Sequence, residues 1–256
     1  MPANLFPYIA IIMSVTLPVA KVAAAEADVM IAVATNFVSS AESLTKDFEA
    51  RFGWRASLVA GSSGKLYAQL QQGAPFDVFL SADAVRPQRL VDAGLVADKN
   101  HQTYAIGSLV AWFPNHPTEQ LQRVEAVSLI LASSRIAHAN EAVAPYGAAT
   151  IDTLKSLAVY AQVKPRLVRG ENIGQTYSLA SSGNVGVGFI ALAQHLKQQH
   201  KGGFWIVGES LHTPIRQNAV LMNRAANNPA AIKFFAYLRS NAAQQIIRDA
   251  GYQVPP

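Results

Sequence analysis

An α/β protein of two doubly wound lobes is predicted by three observations. Short apolar runs alternate with helical periodicity from Asp28 onward, the alternation restarts after Ile106, and a helical tail closes the chain with no strands of its own to cover. Val29–Ala34 (VMIAVA) is a continuous apolar run, as expected of a parallel strand buried on both faces. After Thr35-Asn36, residues Ala41, Leu44, Phe48 and Phe52 recur at helical spacing up to Gly53, a C-terminal stop. Arg55–Ala60 reads as the second strand, Gly61-Ser62-Ser63-Gly64 leads into a helix carrying Leu66 and Leu70, and Asp77–Ser81 is the third strand.

In the second half Ile106–Phe113 and Arg135–Ala139 read as strands, and Ala148–Tyr160 as a helix with Ile151, Leu154, Leu157 and Ala158 on one face. Pro165–Val168 and Val185–Ile190 flank a helix from Ile173 to Ser182, and Phe204–Val207 and Pro214–Met222 follow as strands. The tail, with Ile232, Phe235, Leu238 and Ile246, is expected to return to the first lobe. Lobe 1 is then 26–107 with 214–256, and lobe 2 is an insertion, 108–213, joined by two crossover strands near 107 and 213. Two such lobes leave a ligand cleft at the carboxyl ends of their strands.

Residues 1–25 read differently. Leu5–Ala20 is almost wholly apolar, interrupted by two prolines and shorter than the ~20 residues a spanning helix prefers. Ala23, Ala24 and Ala25 follow it directly, as in a secretory signal peptide cleaved near Ala25. An exported, periplasmic protein is expected.

The 256 residues hold no cysteine, which removes disulfides, thiol nucleophiles and Cys-ligated metals. Lys and Arg number 21 against 16 Asp and Glu, a net +5, or +4 once Lys21 leaves with the signal peptide. The cations are dispersed, with no run longer than one residue, so no phosphate-backbone patch forms and no nucleic acid is expected. The six histidines show no metal-ligand spacing, so no metal held by protein ligands and no cofactor is expected. Asp77 and Asp83 flank one short strand and read as hydrogen-bond acceptors for neighbouring loops rather than as a catalytic pair.

Four loops place small polar residues or glycine just before a helix: Thr35-Asn36, Ser62-Ser63-Gly64, Pro145-Tyr146-Gly147 and Asn172-Ile173-Gly174. Helix starts expose free N–H groups and partial positive charge, which suits an anion without any cation. One such loop alone is most simply an N-cap; four, two in each lobe, are expected to converge on a compact oxyanion. Enzyme motifs do not assemble. Ser62-Ser63-Gly64-Lys65 contains S-x-x-K without S-D-N or K-T-G, lacks the G-x-S-x-G elbow, and fails as a P-loop because Val59 and Leu66 stand where Gly and Ser or Thr are needed. A serine hydrolase using Ser62 or Ser63 is the alternative from another class.

At these loops the chain resembles the periplasmic molybdate-binding proteins of ABC transporters, in the type II periplasmic binding protein group. The segments that carry the resemblance are AVATNF (32–37), GSSGKLYAQLQQGAPFDVFLSAD (61–83), APYGAA (144–149), GENIGQTY (170–177) and IRQNAVLM (215–222). The resemblance spans about Asp28 to Val254. It implies a monomeric receptor that holds molybdate or tungstate between its lobes and delivers it to a membrane permease. A receptor for sulfate or another tetrahedral oxyanion is the alternative within the same class. Carried over, the ligand contacts are Thr35, Asn36 and Ser63 from one lobe and Tyr146 and Ile173 from the other, with Ser62 able to assist. Side-chain donors are expected from Asn36, Ser63 and Tyr146, and only an N–H from Ile173. Some members of the family have Ser at the place of Asn36, a small residue at Tyr146 and Tyr at Ala191. The resemblance here implies that Tyr146 supplies the hydroxyl instead. Porphobilinogen deaminase shares the architecture but attaches its cofactor through a cysteine, which this chain lacks.

Overall fold

The computed structural model describes residues 27–197 and 202–255. The expected signal peptide lies outside the described residues. The first part of the chain forms β1 (Val29–Ala34), α1 (Val38–Phe52), β2 (Ala56–Gly61), α2 (Ser63–Gln71), β3 (Val78–Leu80), α3 (Val85–Asp92) and β4 (His101–Gly107). Then come β5 (Leu109–Phe113), α4 (Arg123–Ala132), β6 (Ile136–Ala139), α5 (Pro145–Ser156), α6 (Tyr160–Val163), β7 (Leu167–Gly170), α7 (Ile173–Ser181), β8 (Val187–Ala191), α8 (Leu192–Lys197) and β9 (Gly203–Ile206). The chain finishes with β10 (Ile215–Leu221), α9 (Pro229–Tyr237) and α10 (Asn241–Asp249).

These strands make two five-stranded sheets, ordered β2-β1-β3-β10-β4 and β7-β6-β8-β5-β9. Both are mixed: β10 runs antiparallel to β3 and β4, and β5 antiparallel to β8 and β9. The reversed strands are the first to enter each sheet after a crossing between lobes. Only Ser108 separates β4 from β5, so β5 starts where β4 ends, at the carboxyl edge of the first sheet, and must run away from it. The apolar run expected as one strand, Ile106–Phe113, is therefore two strands in two different sheets. Lys164–Arg166 is a 3-10 turn, and the strand expected from Pro165 begins at Leu167.

In the first lobe, Val29, Ile31 and Val33 on β1 meet Phe37, Leu44 and Phe48 of the α1 segment. The helical tail closes this face. Phe234 meets the Phe48 ring edge-on at 5.2 Å, and the Tyr237 hydroxyl donates to Asp47 at 2.7 Å. The buried tail positions include Phe234, Phe235, Tyr237, Leu238 and Ile247, whereas Ile232, expected on this face, is exposed. Leu66, Leu70, Phe79 and Leu90 fill the opposite face of the same sheet. In the second lobe Leu109, Ala111, Ile136, Leu154 and Phe189 form a core that continues across the cleft to Ala34 and Ala82 of the first. Among the described residues no helix is long and apolar enough to cross a membrane.

Candidate functional site

The site grows from the carboxyl ends of β1, β2, β6 and β7, each followed by a turn and a helix. The β1 turn is held by the Thr35 N–H donating to Gly61 O at 3.1 Å and the Phe37 N–H donating to Ala34 O at 2.8 Å. Ser62 is the N-cap of α2, its Oγ accepting from the Lys65 N–H at 3.4 Å. Ser63 is the first residue of that helix, and its Oγ accepts from the Ala82 N–H at 2.9 Å. That leaves the Ser63 hydroxyl hydrogen free to donate. Pro145 opens α5 with Tyr146 second, a position where a missing or free N–H costs the helix nothing. Asn172 caps α7, its Oδ1 accepting from the Gln175 N–H at 3.0 Å, and Ile173 is the first helical residue. The N-terminal amides of these helices have no acceptor within their own helix.

Thr35, Asn36, Ser62, Ser63, Tyr146 and Ile173 all line one small cavity, together with Ala34, Ala82, Ala144 and Pro145. Among the described residues, no charged side chain and no histidine lines it. The arrangement is thus a small, buried chamber whose polar groups are amides and hydroxyls at helix starts. Each serine Oγ accepts from a backbone N–H, and among the described residues no carboxylate or histidine lines the chamber beside them. Asp77 accepts from the Met30 N–H at 2.8 Å and Asp83 from the Arg86 N–H at 2.8 Å, so both serve their loops. Away from the cavity, His116 stands 3.6 Å from Glu119 and 3.9 Å from Glu125, a grouping its sequence spacing did not suggest.

The lobes touch across the cleft around this chamber. The Gly64 N–H donates to Val143 O at 2.9 Å, the Gly174 N–H to Thr35 Oγ1 at 3.4 Å, and Arg86 to Ala142 O at 3.0 Å. Lys65 pairs with Glu171 at 2.7 Å, and Lys197 donates to Ser39 Oγ at 2.6 Å.

Behind the cavity lies a buried polar cluster that sequence reasoning did not find. Asn36 Nδ2 donates to Gln217 Oε1 at 2.7 Å and to the Tyr252 hydroxyl at 3.2 Å, and Tyr252 donates back to Asn36 O at 2.8 Å. The Tyr104 hydroxyl donates to the same Gln217 oxygen at 3.2 Å. Both amide hydrogens of Asn36 are therefore engaged inside the first lobe, which removes its side chain as the expected donor and leaves its backbone N–H. Gln217 Nε2 is buried without a hydrogen-bond partner among the described residues, and the Tyr146 hydroxyl, set beside Tyr252 and Asn36, makes no well-formed hydrogen bond there. Such orphaned groups cost about 1–3 kcal/mol each and mark a strained or unfilled position. Burial pushes the Tyr104, Tyr146 and Tyr252 phenols well up, so all three stay protonated. The one signal available in the sequence was Gln217-Asn218, a polar pair inside an apolar strand.

Known proteins resemble this chain along nearly all of its described length. The model of the family "Bacterial extracellular solute-binding protein" matches residues 29–253. A molybdate-binding protein of Rhodobacter capsulatus is 38% identical over 246 residues, covering 95% of this chain and 93% of that protein. A molybdate-binding protein of Azotobacter vinelandii is 36% identical over 234 residues, covering 90% of this chain and 91% of that protein. The solved structure of an Azotobacter vinelandii periplasmic molybdate-binding protein superposes with a TM-score of 0.83 at 33% identity, over 89% of this chain and all of that one. With a family match over nearly all the described residues and the two-lobed α/β architecture to support it, the chain belongs to the bacterial extracellular solute-binding proteins.

Proposed function

We propose that this protein is a periplasmic receptor that captures molybdate or tungstate between its lobes and hands it to an ABC permease. The observation that carries this reading is the uncharged chamber in which six residues from four helix-start loops meet. Relatives named as molybdate-binding proteins, at 36% and 38% identity, support the choice of anion. The donors are assigned as the N–H groups of Asn36, Ser63, Tyr146 and Ile173 with the hydroxyls of Thr35 and Ser63, and Ser62 assists at the cap; the Tyr146 N–H replaces the hydroxyl expected of it, because that hydroxyl rests on Gly107. The lobes are taken as 26–107 with 214–256 and 108–213, hinged where the chain crosses beside Gly107 and Pro214.

A dianion that carries no proton near neutral pH needs donors only. Protonated phosphate would bury an O–H with no acceptor facing it, which costs about 1–3 kcal/mol. Sulfate is also a bare dianion, and is refused by size: donors spaced for longer metal–oxygen bonds stand too far from a smaller anion. Charge-assisted hydrogen bonds contribute about 1.5–3 kcal/mol each, enough together to reach sub-micromolar affinity after association costs. Closure then buries the anion for delivery.

Thermal unfolding of the purified protein in molybdate, tungstate, sulfate and phosphate tests the reading. Molybdate or tungstate at a thousandfold above the dissociation constant is expected to add about 4 kcal/mol of stability. No shift with either, or an equal shift with sulfate, overturns the assignment.

A further inference from the structure

Tyr146 is almost fully buried, it lines the anion chamber, and its phenolic oxygen stands beside Tyr252 and Asn36 without a well-formed hydrogen bond among the described residues. That oxygen rests directly on Gly107, the last residue of β4 and the point where the chain leaves the first sheet. A Cβ built on Gly107 would overlap the Tyr146 hydroxyl and would lie 3.0 Å from Tyr146 Cζ and 3.0 Å from Gln217 Nε2. Gly107 is not among the glycines with positive φ, so space rather than backbone conformation calls for a glycine here. Gln217 forms the second wall of the niche. Its Oε1 is held by Asn36 and Tyr104, which turns Nε2 toward the Gly107 side. One residue, Tyr146, thus both lines the chamber and rests with its phenol on the crossover between lobes.

We propose that Gly107 is a positioning residue for the anion site. Its missing side chain is the seat of the Tyr146 phenol, and the seated ring fixes the start of α5 and so the amide that the second lobe presents to the anion. The proposal rests on the oxyanion reading above and adds a residue that lies outside the chamber lining.

A double-mutant cycle on the full-length mature protein tests it. The effect of Gly107→Ala is measured in the wild-type background and again in a Tyr146→Phe background, by calorimetry with sodium molybdate and by thermal unfolding without ligand. In the wild-type background the added methyl meets the phenolic oxygen, and molybdate affinity is expected to fall at least about tenfold, as overpacking of a closed site does. Without that oxygen the nearest ring atom is at 3.0 Å, which a shift of a few tenths of an ångström relieves, so the loss shrinks to under about threefold. The melting temperatures follow the same pattern. Calorimetry reports only folded, binding-competent protein, so a purely structural role would move the melting temperature and leave the dissociation constant unchanged. Equal losses in both backgrounds, or no loss in the wild-type background, overturn the proposal. Wild-type protein that binds no molybdate overturns the ligand reading instead. The unliganded melting cycle then decides the seat: rescue by Tyr146→Phe upholds it, and absence of rescue overturns it.

Discussion

Ser63→Ala separates the two jobs of one hydroxyl. Ser63 is 1% exposed and its Oγ accepts from the Ala82 N–H at 2.9 Å, while its hydrogen is the proposed donor to the anion. Removing it leaves the Ala82 amide unpaired, which costs about 1–3 kcal/mol of stability. It also deletes a charge-assisted donor of about 1.5–3 kcal/mol, which is about a 10- to 150-fold loss of affinity. Ser62→Ala is the matched control, because Ser62 Oγ accepts from the Lys65 N–H at 3.4 Å as a helix cap. That variant is expected to lose about 1 kcal/mol of stability and no more than about fivefold in affinity. Urea unfolding gives the stabilities and calorimetry with molybdate the affinities. If Ser63→Ala binds within twofold of wild type, or Ser62→Ala loses more affinity than Ser63→Ala, the assignment of donors is refuted.

Three further outcomes are expected. Glu171→Gln removes the exposed cross-cleft partner of Lys65, and molybdate release should quicken about two- to fivefold at low salt, with the difference shrinking as salt is added; stopped-flow release that is identical at low salt would count against a latch role. Burial lowers the His138 pKa below its ordinary value, against the opposing pull of the Glu141 carboxylate 3.9 Å from its Nδ1. The folded state therefore binds fewer protons than the unfolded state, so the His138 contribution is intact above about pH 6.5 and is lost as pH falls below it toward the folded pKa. Urea unfolding from pH 7.5 to 5 should show a shallower acid slope in His138→Gln, and an unchanged slope contradicts the claim. Phe48→Ala, in a side chain packed against Phe52, Trp54, Phe234 and Tyr237, should cost about 3–5 kcal/mol in urea unfolding, and a loss under about 1 kcal/mol would mean that the tail is not docked as described.

What was legible in the sequence was local. The VMIAVA strand reads cleanly because Asp28 and Thr35-Asn36 bound a continuous apolar run, and α1 stops at Gly53, whose φ is +75°. The four loops were legible because small polar residues at helix starts carry their chemistry within a few residues. The break at Ser108 was not legible, because both flanking strands are apolar and their separation into two sheets is decided by distant partners: β4 pairs with β10, and β5 with β8 and β9. Helix α4 (RVEAVSLILA) escaped because its apolar residues surround the axis; only Ala126 and Ile130 are fully buried while Val124 stands 80% exposed. The polar cluster was invisible for the same reason as the sheet break. Asn36 meets Gln217 and Tyr252 across 181 and 216 residues, and the two free hydrogens that seemed to mark Asn36 as a side-chain donor are spent there.

In the proposed complex a bare tetrahedral dianion sits among helix starts with no cation in contact. Crystals grown with molybdate and measured at the molybdenum absorption edge test this most directly. A single anomalous peak is expected inside the chamber, within hydrogen-bonding reach of the Asn36, Ser63, Tyr146 and Ile173 amides and away from every Lys and Arg side chain. A peak on a basic side chain elsewhere, or an empty chamber at saturating molybdate, would contradict it.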